Sequence, residues 1–166
     1  MKGVKLLLLF LLLLALGAGA GCSKKPVASS TAGQGMDQAS SEAELAARNL
    51  EEAKRIIVNE KVYFALDSFA LTEQSKEILK RKAEVLKSNS KLKVIVEGNC
   101  DERGTAEYNL ALGERRAMAS KKYLSNLGVS DMQIETVSFG KERPADPGHS
   151  ESSWSLNRRD EFRLVW

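Results

Sequence analysis

Apolar positions along this chain change their spacing several times, and each change predicts an element. Leu6 to Leu16 is one unbroken apolar run, and 23–41 has no apolar period at all. Leu45, Leu50, Ala53, Ile56 and Ile57 then recur at helical spacing and predict a helix over 42–59. Val62, Phe64 and Leu66 alternate as a short strand. Thr72 opens a helix whose inward positions are Ile78, Leu79, Ala83, Val85 and Leu86, and Leu92, Val94 and Val96 form a second strand. A second helix follows from Thr105 to Leu127, with Tyr108, Leu112, Ala119 and Tyr123 on one stripe and Gly128 at its end. Ser130 with Gln133 resembles a capping box and predicts one helical turn. Ile134 to Phe139 reads as strand, the stretch around Pro144, Pro147 and Gly148 as loop, and Asp160 to Trp166 as the last strand.

The predicted order is β-α-β-α-β-β. Strands that alternate, rather than run solidly apolar, imply a sheet covered on one face only. The expectation is therefore an α/β (α+β) two-layer sandwich with a mixed sheet and helices on one face. A flexible linker and a short N-terminal helix precede it.

The first residues carry a different message. Lys2 and Lys5 precede the apolar run, and small residues from Gly17 to Gly21 lead to Cys22. A permanent membrane span needs about 20 apolar residues, so the run suits a cleaved export signal over 1–21. An uncleaved membrane anchor is the alternative. Gly19-Ala20-Gly21-Cys22 is similar to a bacterial lipobox, with Gly19 where leucine is usual. That similarity implies acylation of Cys22 and cleavage before it, and two or three acyl chains anchor a protein stably. Ser23 after the cysteine fits sorting to the outer membrane. Residues 22–41, rich in Ser, Ala and Gly, read as a lipidated cysteine and a tether reaching at most about 60 Å. Residues 60–166 read as one folded domain.

Composition narrows the function classes. The net charge of +3 includes Lys2 and Lys5, which leaves about +1 once 1–21 is removed. With no arginine stripe interleaved with aromatics, nucleic acid is not an expected partner. Cys22 and Cys100 make no disulfide framework, and with His149 alone they make no zinc quartet, so no cofactor or metal is expected. An enzyme with Cys100 as nucleophile would need His149 brought in from a distant loop, so the expectation is a non-enzyme. Cys100 reads as a half-buried filler at a strand end, and His149 as a surface residue.

The most informative run is NCDERGTAEYNLALGERRAMASKKYL, from Asn99 to Leu124. It resembles the peptidoglycan-binding signature of OmpA-like domains, in which a loop aspartate precedes a helix with Asn-x-x-Leu-Ser-x-x-Arg-Ala. Asp101 matches the aspartate, and Asn109, Leu112, Arg116 and Ala117 match the helix; Gly113 stands where many members have Ser. VYF at Val62 to Phe64, SFGKERP at Ser138 to Pro144 and NRR at Asn157 to Arg159 extend the similarity over about 60–166. Ala65 and Leu66 replace a common Asp-Phe, and Asn99 a common histidine.

The resemblance implies an OmpA-like sandwich and a lipid-anchored, periplasm-facing outer-membrane protein that binds peptidoglycan, supports envelope integrity and cell division, and exchanges partners, TolB and TolA, in the Tol system. The residue types suit that ligand. Diaminopimelate in the stem peptide ends in an ammonium and a carboxylate on one carbon. Asp101 can accept from the ammonium, and Arg116 can fork onto the carboxylate. Backbone N–H groups of 101–104 could also donate to the carboxylate.

An unbroken helix from Thr105 would put Arg116 about 16 Å from its start. Either the working helix begins nearer Asn109, or the Asp101 loop folds back over it. Plainer readings stand beside these: Arg116 adjoins Arg115 and would suit a solvated helix face. Asn109 and Leu112 read as shaping the site, Arg158 or Arg159 as lining it or as a solvated pair, and Phe64 and Asp67 as weaker candidates. The alternative function is a flagellar-stator-like or other envelope anchor, with the same domain beneath an uncleaved transmembrane helix.

Overall fold

The computed structural model describes residues 34–165. Helix α1 (Gln34–Asn59) leads to β1 (Val62–Tyr63), α2 (Glu73–Ser88), β2 (Lys93–Asn99) and α3 (Ala106–Asn126). A 3-10 turn (Asp131–Gln133), β3 (Ile134–Gly140), α4 (Glu151–Asn157) and β4 (Arg159–Val165) complete the chain. The sheet order is β1-β4-β2-β3. β2 runs parallel to β3, whereas β4 is antiparallel to both β1 and β2. The mixed sheet expected from the alternating strands is what forms.

Val94, Val96, Ile134 and Phe162 from the sheet meet Leu79, Ala83 and Leu86 of α2, Ala117 and Leu124 of α3, and Ile57 of α1 in one core. The opposite face carries charge: Arg163 donates to Glu97 at 2.7 Å. Both long helices of the sandwich start as their sequence dictates. The Thr72 hydroxyl accepts from Ser75 N and the Thr105 hydroxyl from Tyr108 N, satisfying N–H groups that the first turn leaves open.

Gly98 and Gly113 set how closely α3 approaches the sheet. A Cβ on Gly98 would sit 2.6 Å from the Gly113 carbonyl carbon, and one on Gly113 would sit 2.9 Å from the Gly98 oxygen. Strand and helix backbones therefore touch, and the first half of α3 lies directly against the end of β2. That contact gives Gly113 a packing reason.

Five features differ from the sequence expectations. Helix α1 starts at Gln34, inside the stretch 22–41 expected as linker; 36–59 holds no Gly or Pro, so a helix seated at Ala53 and Ile57 can propagate backward. Strand β1 stops at Tyr63: Phe64 N still donates to Arg158 O at 3.0 Å, but Asp67, at φ 52, turns the chain and leaves Leu66 exposed. The inward line of α3 is Asn109, Leu112, Gly113, Arg116, Ala117, Ser120 and Leu124, not the stripe through Tyr108, Ala119 and Tyr123. Helix α4 occupies part of the expected loop, capped by Ser150; behind it Asn157 accepts from Ala145 N and Asp146 N and donates to Asp146 O. Ser130 caps the 3-10 turn, but Gln133 donates to the carbonyls of Leu86, Asn89 and Leu92 rather than closing a capping box.

Polar groups also enter the core. Lys82 is fully buried; its ammonium donates to Ile56 O at 2.9 Å and Ile57 O at 2.5 Å, two carbonyls of the last turn of α1, and lies 4.4 Å from the Phe162 ring centroid. This side chain fastens α1 to α2.

Candidate functional site

Strand β2 ends at Asn99, and residues 100–105 fold back along the start of α3. Gly104, at φ 90, makes the turn that brings the chain to the Thr105 cap. Asn109 holds this loop from the helix side, its amide donating to Arg103 O at 2.8 Å and Thr105 O at 3.1 Å. The Cys100 thiol donates to Asn109 O at 3.3 Å. Of the two geometries open from the sequence, the loop folds back over the helix.

A cleft of about 330 Å³ lies between this loop and the 66–67 turn, lined by Asp67, Cys100, Asp101, Arg103, Asn109, Leu112 and Arg116 among others. Its size is within the range of small-ligand sites. Five of the candidate residues, Asp67, Asp101, Asn109, Leu112 and Arg116, thus meet in one place. Phe64 is buried, with its ring centroid 5.1 Å from the Arg116 guanidinium carbon. Arg158 is outside the cleft and reaches Asp101 from behind. Cys22 lies outside the described residues.

Asp101 is 5% exposed and accepts four hydrogen bonds. Three come from Arg103: backbone N to Oδ1 at 3.1 Å, Nε to Oδ1 at 3.2 Å, and Nη2 to Oδ2 at 2.7 Å. Arg158 Nη1 supplies the fourth at 3.2 Å. Burial pushes this carboxyl up, but the Arg103 and Arg158 bonds outweigh it and hold the pKa below the ordinary aspartate value. Asp101 is an anion at neutral pH.

Arg116 is fully buried, not part of a solvated helix face. Its Nε donates to Ser68 O at 2.8 Å, Nη1 to Asn99 O at 2.8 Å and to the Cys100 sulfur at 3.4 Å, and Nη2 to Ala65 O at 3.2 Å. Four of its five N–H groups are committed. Burial pulls its pKa down, yet a guanidinium stays charged. It supplies positive potential to the cleft wall and ties the 65–68 turn to the strand end. A free two-pronged fork onto a ligand is not its resting geometry.

Sequence reasoning overlooked Arg103, Glu151 and the part played by Tyr108. Arg103 stacks on the Trp154 ring at 4.1 Å, and Glu151 Oε1 accepts from Arg158 at 2.6 Å while its Oε2 lies 3.7 Å from Arg103. Tyr108 donates its hydroxyl to the Asp67 carboxylate across the cleft mouth. The available signal for Arg103 was its place two residues after Asp101, a spacing at which Asp commonly bonds local backbone. His149 is exposed, as expected, and its Nδ1 meets Glu102 at 2.8 Å. Cys100 is more buried than a half-buried filler, and burial pushes its thiol up to about 11.

Residues 63–158 match the OmpA family. The chain belongs to the OmpA family. Among relatives, it is 51% identical over 98 residues to the peptidoglycan-associated lipoprotein of Pasteurella multocida, covering 59% of this chain and 65% of the relative. The protein of that name from Pseudomonas putida is 52% identical over 101 residues, covering 61% and 60%. This OmpA-family chain thus spans less than two thirds of those relatives' length. The one from Mesorhizobium japonicum is 35% identical over 138 residues, covering 83% and 80%. The crystal structure of the peptidoglycan-associated lipoprotein from Burkholderia pseudomallei superposes with a TM-score of 0.62 at 48% identity, covering 63% of this chain and 89% of that one. The C-terminal domain of Helicobacter pylori MotB, with a TM-score of 0.61 at 22% identity over 64% and 84%, shares the OmpA-like fold.

Proposed function

We propose that this protein is an outer-membrane lipoprotein that binds peptidoglycan non-covalently and ties the outer membrane to the cell wall. The observation that carries the reading is the cleft where ionised Asp101 meets the Arg103 and Arg116 guanidinium groups. Opposite charges held together in a small recess suit a zwitterion, and the side-chain end of diaminopimelate is one. The relatives are named peptidoglycan-associated lipoproteins, which supports peptidoglycan as the polymer bound and a lipid-bearing residue, here Cys22. Residues 1–21 would be the signal removed on export. Partner exchange with TolB and TolA, and support of cell division, belong to the same proposal and rest on the resemblance of the 99–124 run. The same proposal makes the protein a binder; the Cys100 thiol, pushed up to about 11 and donating to a carbonyl instead of facing a base, speaks against a Cys100 nucleophile.

Purified diaminopimelate-type sacculi should retain the wild-type protein and release Asp101→Ala and Arg116→Ala. Since Arg116→Ala removes a buried tie, Asp101→Asn, which keeps size and loses charge, is the deciding variant. Retention of Asp101→Asn at the wild-type level would overturn the site. Labelling of Cys22 by a lipid precursor, absent in Cys22→Ser, tests the anchor separately.

A further inference from the structure

Three arginines surround Asp101, and they differ in what they are free to do. The Arg116 side chain is fully buried with four N–H groups spent on fixed partners. Arg158, its side chain 7% exposed, is spent on Phe64 O, Asp101 and Glu151, and it stays outside the cleft. Arg103 lines the cleft with 34% of its side chain exposed, and its guanidinium rests on the flat face of Trp154. That indole is itself fixed, its Nε1 donating to Glu102 at 2.9 Å.

The Arg103 side chain also fills the two positions on Asp101 that a ligand ammonium would need, Oδ1 from Nε and Oδ2 from Nη2. An incoming ammonium must therefore displace it. If it leaves, Asp101 keeps the Arg103 backbone N–H and Arg158, so the carboxylate stays oriented and ionised. The displaced guanidinium then needs an anion. A carboxylate on the same carbon as the ammonium arrives where it is needed.

We propose that Arg103 is the specificity-determining residue of the cleft: it exchanges Asp101 for the ligand carboxylate, so that the site selects an ammonium and a carboxylate borne on one carbon. The proposal rests on the peptidoglycan reading above and deepens it. A ligand with the ammonium alone breaks the Asp101–Arg103 pair and leaves the guanidinium without an anion. A ligand with a carboxylate alone leaves Asp101 without its forked partner. Only the zwitterion makes two charge-assisted pairs for the one it breaks.

The test is calorimetric titration of the full chain with three synthetic stem peptides, carrying diaminopimelate, side-chain-amidated diaminopimelate or lysine at the third position. Wild type should bind the first roughly ten-fold more tightly than the other two, the scale of one charge-assisted bond. In Arg103→Gln the diaminopimelate peptide should fall to the level of the others, while the lysine peptide holds or gains because Asp101 is no longer covered. Arg103→Gln with the wild-type preference intact would overturn the proposal, and so would an equal loss for all three peptides, the mark of a merely structural role. Wild type without preference, or Asp101→Asn binding diaminopimelate normally, would instead bring down the peptidoglycan reading itself, and this inference with it.

Discussion

Arg116 donates to the main-chain oxygen of Asn99 at 2.8 Å, joining the middle of α3 to the last residue of β2. The same guanidinium reaches Ser68 O and Ala65 O, 48 and 51 residues earlier in the chain. One planar group thus fixes the strand end, the helix and the turn that form three sides of the cleft. Three different nitrogens of the guanidinium serve these carbonyls, whereas a lysine has one nitrogen from which to reach them. Arg116→Lys should cost about 2–3 kcal/mol, the scale of leaving buried acceptors unpaired. Hydrogen exchange should quicken over 65–70 before the rest of the domain opens. A stable variant with unchanged exchange there would show that the tie is not needed.

The contact between Gly98 and Gly113 predicts a second effect. A methyl group on Gly98 meets helix backbone, which has no rotamer by which to retreat. Gly98→Ala should destabilise the domain by about 3 kcal/mol in denaturant titration. Binding should weaken in parallel, because α3 moves away from the strand end that carries Asp101. Gly104→Ala, which meets nothing closer than 3.5 Å but stands at φ 90, should cost less, about 1 kcal/mol.

Helix α2 and the strands β2 to β4 were legible because their apolar residues repeat, and α3 because its cap is local, although its inward line is largely polar or small. The Thr72 and Thr105 hydroxyls bond residues three positions away. Helix α4 was not legible: Ser152, Ser153 and Ser155 give no apolar period, and its docking depends on Asn157 closing a loop eleven and twelve residues back. Within the site, Asp101 and Arg116 stood out by resemblance. That Arg116 is a buried tie and Arg103 the accessible cation follows from partners far along the chain. Polar residues read as surface until such partners are known, as with Lys82, whose acceptors lie 25 and 26 residues away.

Cys100 should behave as an inert thiol. It is 2% exposed and its pKa is raised to about 11 by burial, with Arg116 opposing. The thiolate that alkylating reagents need is scarce at pH 8. In the native protein, labelling of Cys100 by iodoacetamide should be about a hundred-fold slower than in denaturant, where the thiol regains its ordinary acidity. Cys22→Ser removes the other thiol, so the readout belongs to Cys100 alone. Rapid native labelling at pH 8 would mean that the 100–105 loop opens far more often than its hydrogen bonds imply.

Asp160 gives the domain a pH dependence whose sign can be worked out. Its side chain is fully buried beneath α3, and Oδ2 accepts from the Ser120 hydroxyl at 2.6 Å, while Oδ1 has no protein partner. Burial pushes its pKa up to about 8, against the pull of Ser120 and Arg116. In the unfolded chain the group ionises near pH 4. Between those values the native state holds a proton that the unfolded state has lost, so this residue's contribution is full below about pH 4 and is lost as pH rises toward 8. The slope can reach about 1.4 kcal/mol per pH unit for one proton. Asp160→Asn carries no such proton, and its amide oxygen can still accept from Ser120. Melted side by side at pH 5, 6.5 and 8, the variant should gain steadily on wild type as pH rises. A constant difference across the three would place the Asp160 carboxyl at its ordinary pKa, with Arg116 as an effective counter-charge.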